Sequence, residues 1–166
     1  MNNIIKKISG LILLAILFSS CKKEEGPLTD IKPVIPVTVT NAMAWRPDPT
    51  VSASLSGGGA ITITLSIPAS SGRTIKEITK VATSTNYSQI QSTGTAGFYT
   101  AAPIAVNATS YTFNTSITEY FVKNPVSASN PAATANAELA RRFYFLITLD
   151  DGSVIVTEPV RILVLA

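Results

Sequence analysis

The sequence has no histidine, one cysteine and little charge. Its 166 residues include 13 Lys and Arg, 10 Asp and Glu and a single cysteine. Without histidine, the commonest general base and the commonest metal ligand are missing. A lone cysteine excludes an internal disulfide and any zinc site built from several thiolates. We therefore predict that this chain is not an enzyme, and we assign it no catalytic residue, no metal site and no cofactor.

No apolar run in the sequence reaches the roughly 20 residues that a membrane-spanning helix needs. The longest, residues 8–18, is uncharged and nearly all apolar, and it follows Lys6 and Lys7. A short basic segment before an apolar core of this length is typical of a secretory signal peptide. We predict that residues 1–20 are such a signal.

Cys21 follows two small residues, Ser19 and Ser20. With Phe18 in the position usually held by leucine, this segment resembles the lipobox of bacterial lipoproteins. The resemblance implies that a peptidase cleaves before Cys21, that its thiol carries a diacylglycerol and that its new amine is acylated. Each buried CH₂ contributes about 0.8 kcal/mol, so several chains anchor a protein stably. The alternative is an ordinary signal peptide or membrane anchor with an incidental cysteine.

Removal of the signal changes the charge balance. Lys6 and Lys7 leave with it, so the mature chain keeps 11 basic and 10 acidic residues. No basic stripe or arginine-rich run remains. We therefore predict no nucleic-acid partner.

Residues 21–36 have the composition of a tether. They combine a charged segment, residues 22–25, with Pro27, Pro33 and Pro36. Extended proline-rich chain of about 15 residues reaches roughly 45 Å at ~3.1 Å per residue. The segment Lys-Lys-Glu-Glu also resembles the charged signal for surface display in Bacteroidota-type lipoproteins. This implies a protein that is lipid-anchored at the outer membrane, and it allows either the cell surface or the periplasmic side as the location of the domain.

From residue 37 onward the pattern is one of short alternating segments separated by turn residues. In residues 61–67 four aliphatic side chains alternate with Thr and Ser, which is typical of a strand with one buried face. Residues 51–55 alternate as well, and three glycines, residues 57–59, separate the two segments. We predict that these two strands form a hairpin.

The middle of the chain contains further strands. Residues 74–83 are rich in β-branched side chains and predict a strand with a bulge. Residues 97–106 and 110–115 predict two more. Ser116 and Glu119 have the spacing of a capping box, which predicts a short helix over residues 117–122. Residues 124–136 predict a loop, and residues 133–140 a helical turn.

The C-terminal region carries the clearest hairpin signal. Asp151-Gly152 separates residues 142–149 from residues 154–157, and this dipeptide favours a type I′ turn. A last strand covers residues 160–165. The total of about seven to eight strands predicts an all-β fold, a single β-sandwich over residues 37–166. Turn chemistry also accounts for Asp150 and Asp151, which lack the oxygen ligands that a calcium loop needs.

The order of these features resembles a family. A lipobox, a proline-rich tether, alternating strands, a Ser-x-x-Glu turn after residues 111–115 and the strands around Asp151-Gly152 are similar to the immunoglobulin-like or fibronectin-III-like domains of small Bacteroidota lipoproteins. Some such domains accompany starch-utilisation-type uptake systems. The resemblance covers most of residues 37–166. It implies an immunoglobulin-like sandwich without the antibody-type disulfide, and it supplies no catalytic residue.

Residues 81–118 contain no charged side chain. Threonine and serine on the solvent face of a sheet explain this composition. The alternative is a face that packs on a partner or a carbohydrate. An uncharged sheet edge also invites pairing with another strand, so we expect something to cover it.

Three aromatic residues, Trp45, Tyr99 and Tyr120, are the candidate contacts for a ligand or partner. An exposed tryptophan offers a flat surface to a sugar or a protein, although Trp45 could equally fill the core of a small sandwich. Tyr99 and Tyr120 each adjoin a phenylalanine, and alternation directs one ring of such a pair outward. The sequence thus favours a lipid-anchored, non-catalytic binding or structural accessory of the cell envelope, which works through tethering and surface contacts with an envelope protein or a glycan as its partner. The alternatives are a surface glycan-binding lipoprotein of a polysaccharide uptake system and, third, a hydrolase with an unrecognised carboxylate site.

The lipobox generates the first prediction. Cells that express the protein and grow on labelled palmitate should incorporate the label, because acylation attaches fatty acid at Cys21. The variant Cys21→Ala should carry none. Absence of label from the wild type, or label that persists in the variant, would contradict the assignment.

Overall fold

The computed structural model describes residues 35–94, 97–100 and 102–166. The predicted signal peptide, Cys21 and the tether up to residue 34 lie outside the described residues. Residues 37–166, which the sequence assigned to the folded domain, contain every strand described below.

Within the ranges that the structure describes, the elements are mostly strands, with two short α-helices and one 3₁₀ turn among them. They are β1 (Thr38–Val39), β2 (Thr50–Ser54), β3 (Ala60–Ser66), the 3₁₀ turn (Ala69–Ser71), β4 (Ile75–Ser84), α1 (Ser88–Gln91), β5 (Ile104–Ala108), β6 (Ser110–Ser116), α2 (Ile117–Lys123), β7 (Arg142–Leu149), β8 (Val154–Val156) and β9 (Arg161–Leu165).

These strands form two antiparallel sheets and one parallel pair. One sheet has the order β1-β3-β6 and the other has the order β5-β4-β7-β8, while β2 pairs in parallel with β9. This division of strands between two facing sheets is that of an immunoglobulin-like sandwich. The predicted fold class is therefore confirmed. The structure has nine strands in the described residues where the sequence indicated seven to eight.

The β2–β9 pair joins the larger sheet. Phe143 near the start of β7 and Val160 exchange two backbone hydrogen bonds of 2.9 Å. After β8 the chain therefore stays beside β7 as far as Val160, and it then pairs with β2 as strand β9.

The predicted hairpin of β2 with β3 is wrong. Gly58 and Gly59 have φ values of 82° and 69° in the turn that follows β2, and β2 pairs along its length with β9 while β3 pairs with β1 and β6.

The core lies between the sheets. Its centre is aromatic: the ring of Phe113 on β6 is 5.4 Å from that of Phe145 and 6.1 Å from that of Phe143, both on β7. A second, smaller cluster lies on the outer face of the larger sheet. There Ala82, Ile90 of α1 and Tyr144 pack together, so α1 covers part of that face.

Most of the middle elements agree with the sequence. β4 shows register shifts in its pairing with β7, as the predicted bulge requires. The predicted strand 97–106 is shorter and later, because only Ile104–Ala108 forms β5, although Thr100 makes an isolated bridge to Val81. The predicted helical turn at residues 133–140 is wrong, since Leu139 donates its backbone N–H to Ile162 of β9 at 3.0 Å. Alanine has high helix propensity, but pairing with β9 overrides it here.

The capping box at Ser116 and the Asp-Gly turn are both present, but the geometry of each differs from the predicted one. The Ser116 hydroxyl accepts a 3.1 Å hydrogen bond from the Glu119 backbone N–H, as a capping residue does. The Glu119 carboxylate accepts a hydrogen bond from the Thr115 hydroxyl at 2.9 Å instead of reaching back to Ser116.

The turn between β7 and β8 is not type I′, which needs two central residues with positive φ. Only Gly152 has one, at 85°, and its N–H donates to Leu149 at 3.0 Å, so this is a type I turn followed by a glycine bulge.

Substitution of Ile63 tests the assignment of strand faces. Ile63 on β3 is completely buried in the main core, so Ile63→Ala should lower the free energy of unfolding by about 2–5 kcal/mol. The neighbour Thr62 is exposed, and Thr62→Ala should cost under about 1 kcal/mol. Urea denaturation of both variants checks this. Equal effects of the two substitutions would show that the faces are assigned wrongly.

Candidate binding site at Trp45

Trp45 lies in the loop between β1 and β2 and is 70% exposed. Pro47 and Pro49 follow it closely and restrict the backbone. The loop is held by backbone hydrogen bonds, one from Met43 to Thr50 at 2.8 Å and one from Arg46 to Met43 at 3.2 Å. The structure thus excludes a core position for Trp45 and presents its ring to solvent from an ordered loop.

Arg46 packs against this ring. Its guanidinium carbon lies 4.7 Å from the centroid of the Trp45 ring, which is within the range of a cation–π contact. The Arg46 Nε atom is buried and has no hydrogen-bond partner in the part of the chain that the structure describes. The contact orders the indole, because one of its faces rests on a half-buried side chain.

Arg46 is also the first member of an ion network. It donates to one oxygen of Glu138 at 2.8 Å, and Arg161 donates to the other oxygen of Glu138, also at 2.8 Å. Arg161 further binds Asp48 at 2.7 Å. The hydrogen bond to Glu138, followed by the one to Asp48, raises the pKa of Arg161 above its already high usual value. Each side chain of the network is thus oriented by another.

Three separate segments supply these groups. Arg46 and Asp48 come from the β1–β2 loop, and Arg161 is the first residue of β9, in register with Thr50 of β2. Glu138 lies in the segment before β7, where Glu138 forms an isolated bridge with Leu163 of β9. The network is thus built where the parallel pair meets the segment that leads into β7.

The charged side chains surround a small cavity. It has a volume of about 220 Å³ and is lined by Arg46, Pro47, Asp48, Thr50, Glu138 and Arg161. Two guanidiniums and two carboxylates leave it with no net charge. The cavity offers hydrogen-bond donors and acceptors, and Arg46 belongs both to its lining and to the contact with the Trp45 ring. Such a set suits binding of a polar, uncharged group more than proton transfer.

Tyr99 and Tyr120, the other two predicted contacts, are buried, with exposures of 3% and 0%. The prediction that they present rings to a ligand is wrong. The Tyr99 ring lies 5.1 Å from Phe143 and its hydroxyl bonds to Thr115. The Tyr120 hydroxyl donates to Asn130 at 3.0 Å. Tyrosine can be buried when its hydroxyl finds a partner, and both of these do.

Asp151 has the turn role that the sequence predicted for it. Asp151 accepts the Ser153 backbone N–H at 2.9 Å within its turn, and this bond is the main cause of its lowered pKa. Asp151 also lies 3.3 Å from Arg73. Among the described residues no group of three His, Cys, Asp or Glu side chains could hold a metal ion.

A larger cavity of about 640 Å³ lies where the chain enters the domain. Most of its lining is apolar, with Ile35, Pro36, Leu149 and Val154 among its residues, and the Arg73–Asp151 pair is at its edge. Its lining includes no aromatic residue and shares no residue with that of the smaller cavity.

Sequence reasoning found Trp45 and missed the ion network. Arg46 adjoins Trp45 and Asp48 lies between two prolines, but Glu138 and Arg161 are distant in the sequence. Single charged residues in loops and at strand ends carry no local signal, so only the strand pairing reveals that they meet.

Comparisons with protein families, with curated proteins and with solved structures found no match. None of the helices in the described ranges is long and apolar enough to cross a membrane.

The buried Tyr99 predicts a loss of stability at alkaline pH. Burial raises its pKa from 10.0 to about 12, so between these values the unfolded chain releases a proton that the folded protein retains. The unfolded state then binds fewer protons, and the free energy of unfolding falls as the pH rises. Tyr99→Phe removes this contribution.

Urea denaturation at about pH 9 and about pH 11 measures the effect. The variant should be less stable than the wild type at the lower pH, because it loses the bond to Thr115, and should lose less stability on going to the higher one. Parallel pH curves for the two proteins would contradict this account.

Proposed function

We propose that this protein is a lipid-anchored, non-catalytic binding module of the bacterial outer membrane, and that it uses the Trp45 surface to contact an envelope partner. The lipobox at Cys21 supports the anchor, and the proline-rich residues 21–36 support a spacer between lipid and domain. The resemblance to immunoglobulin-like domains of Bacteroidota lipoproteins supports the same assignment.

The observation that carries the proposal is the 70% exposure of Trp45. Exposed tryptophan is rare on a surface that binds nothing, and tryptophan and arginine dominate the energetics of protein interfaces. Here both occur side by side, since Arg46 packs on the Trp45 ring. The ion network holds this pair in place, so that little conformational entropy is lost on binding.

A second candidate is a surface glycan-binding lipoprotein of a polysaccharide uptake system. The observation that favours it is the cavity of about 220 Å³ whose lining includes Arg46, the side chain that packs on the Trp45 ring. A pyranose ring stacks its C–H face on an aromatic side chain, and its hydroxyls bind guanidinium donors and carboxylate acceptors.

A hydrolase function has less support. Catalysis by two carboxylates requires one that can release or accept a proton. Glu138 receives hydrogen bonds from two arginines, and Asp48 binds Arg161. Each carboxylate of the network is thus already paired with a guanidinium group.

Cross-linking in intact cells, followed by purification of the lipoprotein, tests the leading proposal. Trp45→Ala should lose the envelope partner that the wild type recovers. Tyr87→Ala is the matched control, because Tyr87 is also exposed, at 41%, but lies at the outer face of the larger sheet beside Tyr144. A partner recovered equally with Trp45→Ala would refute a role for this surface.

Affinity electrophoresis separates the glycan candidate from a protein partner. Gels that contain neutral polysaccharides should retard the wild type and Tyr87→Ala but not Trp45→Ala. Unchanged mobility of the wild type in every polysaccharide would exclude the glycan candidate and leave the protein partner.

A further inference from the structure

An exposed tryptophan attracts positive charge. The face of its ring is negative, and tryptophan binds cations more strongly than tyrosine or phenylalanine does. Trp45 is 70% exposed. An indole in this position with both faces open would therefore favour a partner that presents a lysine, an arginine or a quaternary ammonium group.

One face of the Trp45 ring is already occupied by a cation of the chain itself. The guanidinium carbon of Arg46 lies 4.7 Å from the centroid of the ring. This distance is inside the limit of about 6 Å within which a cation is attracted to a ring face. The face that Arg46 covers is thus closed to a cation from a partner.

Arg46 is restrained in this position from two sides. Its Nη1 atom donates a hydrogen bond of 2.8 Å to Glu138, and its Nε atom is buried. A long side chain on a protein surface ordinarily samples many rotamers, and fixing it costs entropy. Here the guanidinium is held between a carboxylate and an aromatic ring, so it stays on the ring.

Glu138 is itself fixed by its neighbours. Its second oxygen accepts a hydrogen bond of 2.8 Å from Arg161. Leu139, the next residue, donates its backbone N–H to Ile162 of β9 at 3.0 Å. Glu138 therefore holds Arg46 from a segment that is paired with a strand, and its two oxygens bind two arginines that would otherwise repel each other.

A second cation at the open face of Trp45 meets two obstacles. The ring already interacts with Arg46, and the like charge of Arg46 lies just across the same ring. Proteins often discriminate between partners through a repulsive element of this kind. Because Glu138 balances the charge of Arg46, the repulsion acts at contact and not at long range. An uncharged apolar group has no such penalty.

We propose that Trp45 binds its partner through one face only and discriminates against cationic groups, and that Glu138 is the positioning residue that establishes this by holding Arg46 on the other face. The inference rests on the proposed function, because it states how the Trp45 surface selects its partner. The group that an envelope partner places on this ring is then an uncharged apolar side chain.

Quenching of tryptophan fluorescence tests the arrangement in the unbound protein, because Trp45 is the single tryptophan of the chain. Arg46→Ala opens the second face, so the Stern–Volmer constant for acrylamide, a neutral quencher, should rise about two-fold. Lys76→Ala is the matched control. Lys76 is exposed on β4, and its loss removes the same charge from the larger sheet, so the constant should not change.

Glu138 is tested in the same way. Glu138→Ala should raise the acrylamide constant as much as Arg46→Ala does, because it releases Arg46 from the ring. Glu158→Ala removes an exposed carboxylate outside the network and should change nothing. Arg46→Ala combined with Glu138→Ala should give no further rise, a non-additivity that a merely structural role of Glu138 does not produce. Glu138→Gln, which keeps the shape of the side chain, replaces the alanine variant if that variant does not fold.

Ionic quenchers measure the discrimination against cations. With both quenchers calibrated on free N-acetyltryptophanamide, iodide should quench Trp45 about three-fold more strongly than caesium, because Arg46 repels caesium at the ring. Arg46→Ala should abolish this preference, and Lys76→Ala should retain it.

Equal acrylamide constants for the wild type, Arg46→Ala and Glu138→Ala would overturn the one-faced arrangement. Equal quenching of the wild type by iodide and caesium would overturn the discrimination. Neither measurement needs a partner, so failure here is distinct from failure of the proposed function, which Trp45→Ala reports in the cross-linking experiment.

Discussion

The contact of Phe113 with Phe143 and Phe145 is the constraint on which the rest of the structure depends. These rings come from opposite sheets, and they pack against one another between the two layers. Tyr99 adds a fourth ring against Phe143. With no disulfide available to a chain that has one cysteine, apolar and aromatic burial must provide the stability that a bridge supplies in antibody domains.

Tyr120 connects this core to the surface. Its ring lies 6.1 Å from Phe143, while its hydroxyl donates to Asn130 and accepts the backbone N–H of Arg141, both at 3.0 Å. Arg141 directly precedes β7 and follows the segment that carries Glu138. The same buried hydroxyl thus fixes the loop before β7 and the approach of Glu138 to Arg46 and Arg161. The candidate site is ordered from inside the core.

The sequence predicted the strands whose signals are local. Alternation in residues 61–67 and the Asp-Gly turn after β7 identify their elements because the relevant side chains are neighbours in the chain. The sequence could not predict that β2 pairs with β9. The alternation of residue types along a strand indicates which face is buried, but it does not indicate which strand lies beside it. The same limit explains why a hairpin was predicted for β2 and β3.

The candidate site shows this limit more sharply. Trp45 could be named from its residue type, but its exposure follows from a loop held between two other segments. Alternation allowed either ring of the pairs at Tyr99 and Tyr120 to face outward, and the hydroxyl partners that make their burial favourable are visible only in three dimensions. Glu138 and Arg161 meet through strand pairing, over a separation at which local patterns carry no information.

The shortness of β1 has a mechanical consequence. Trp45 comes nine residues after Pro36, the last residue of the proposed tether. Between them, the two residues of β1 and the bonds of Thr40 and Asn41 join the chain to β3. A pull between a ligand at Trp45 and the proposed lipid anchor would load these few hydrogen bonds before the long pairing of β3 with β6, so they would limit the force that the proposed attachment withstands.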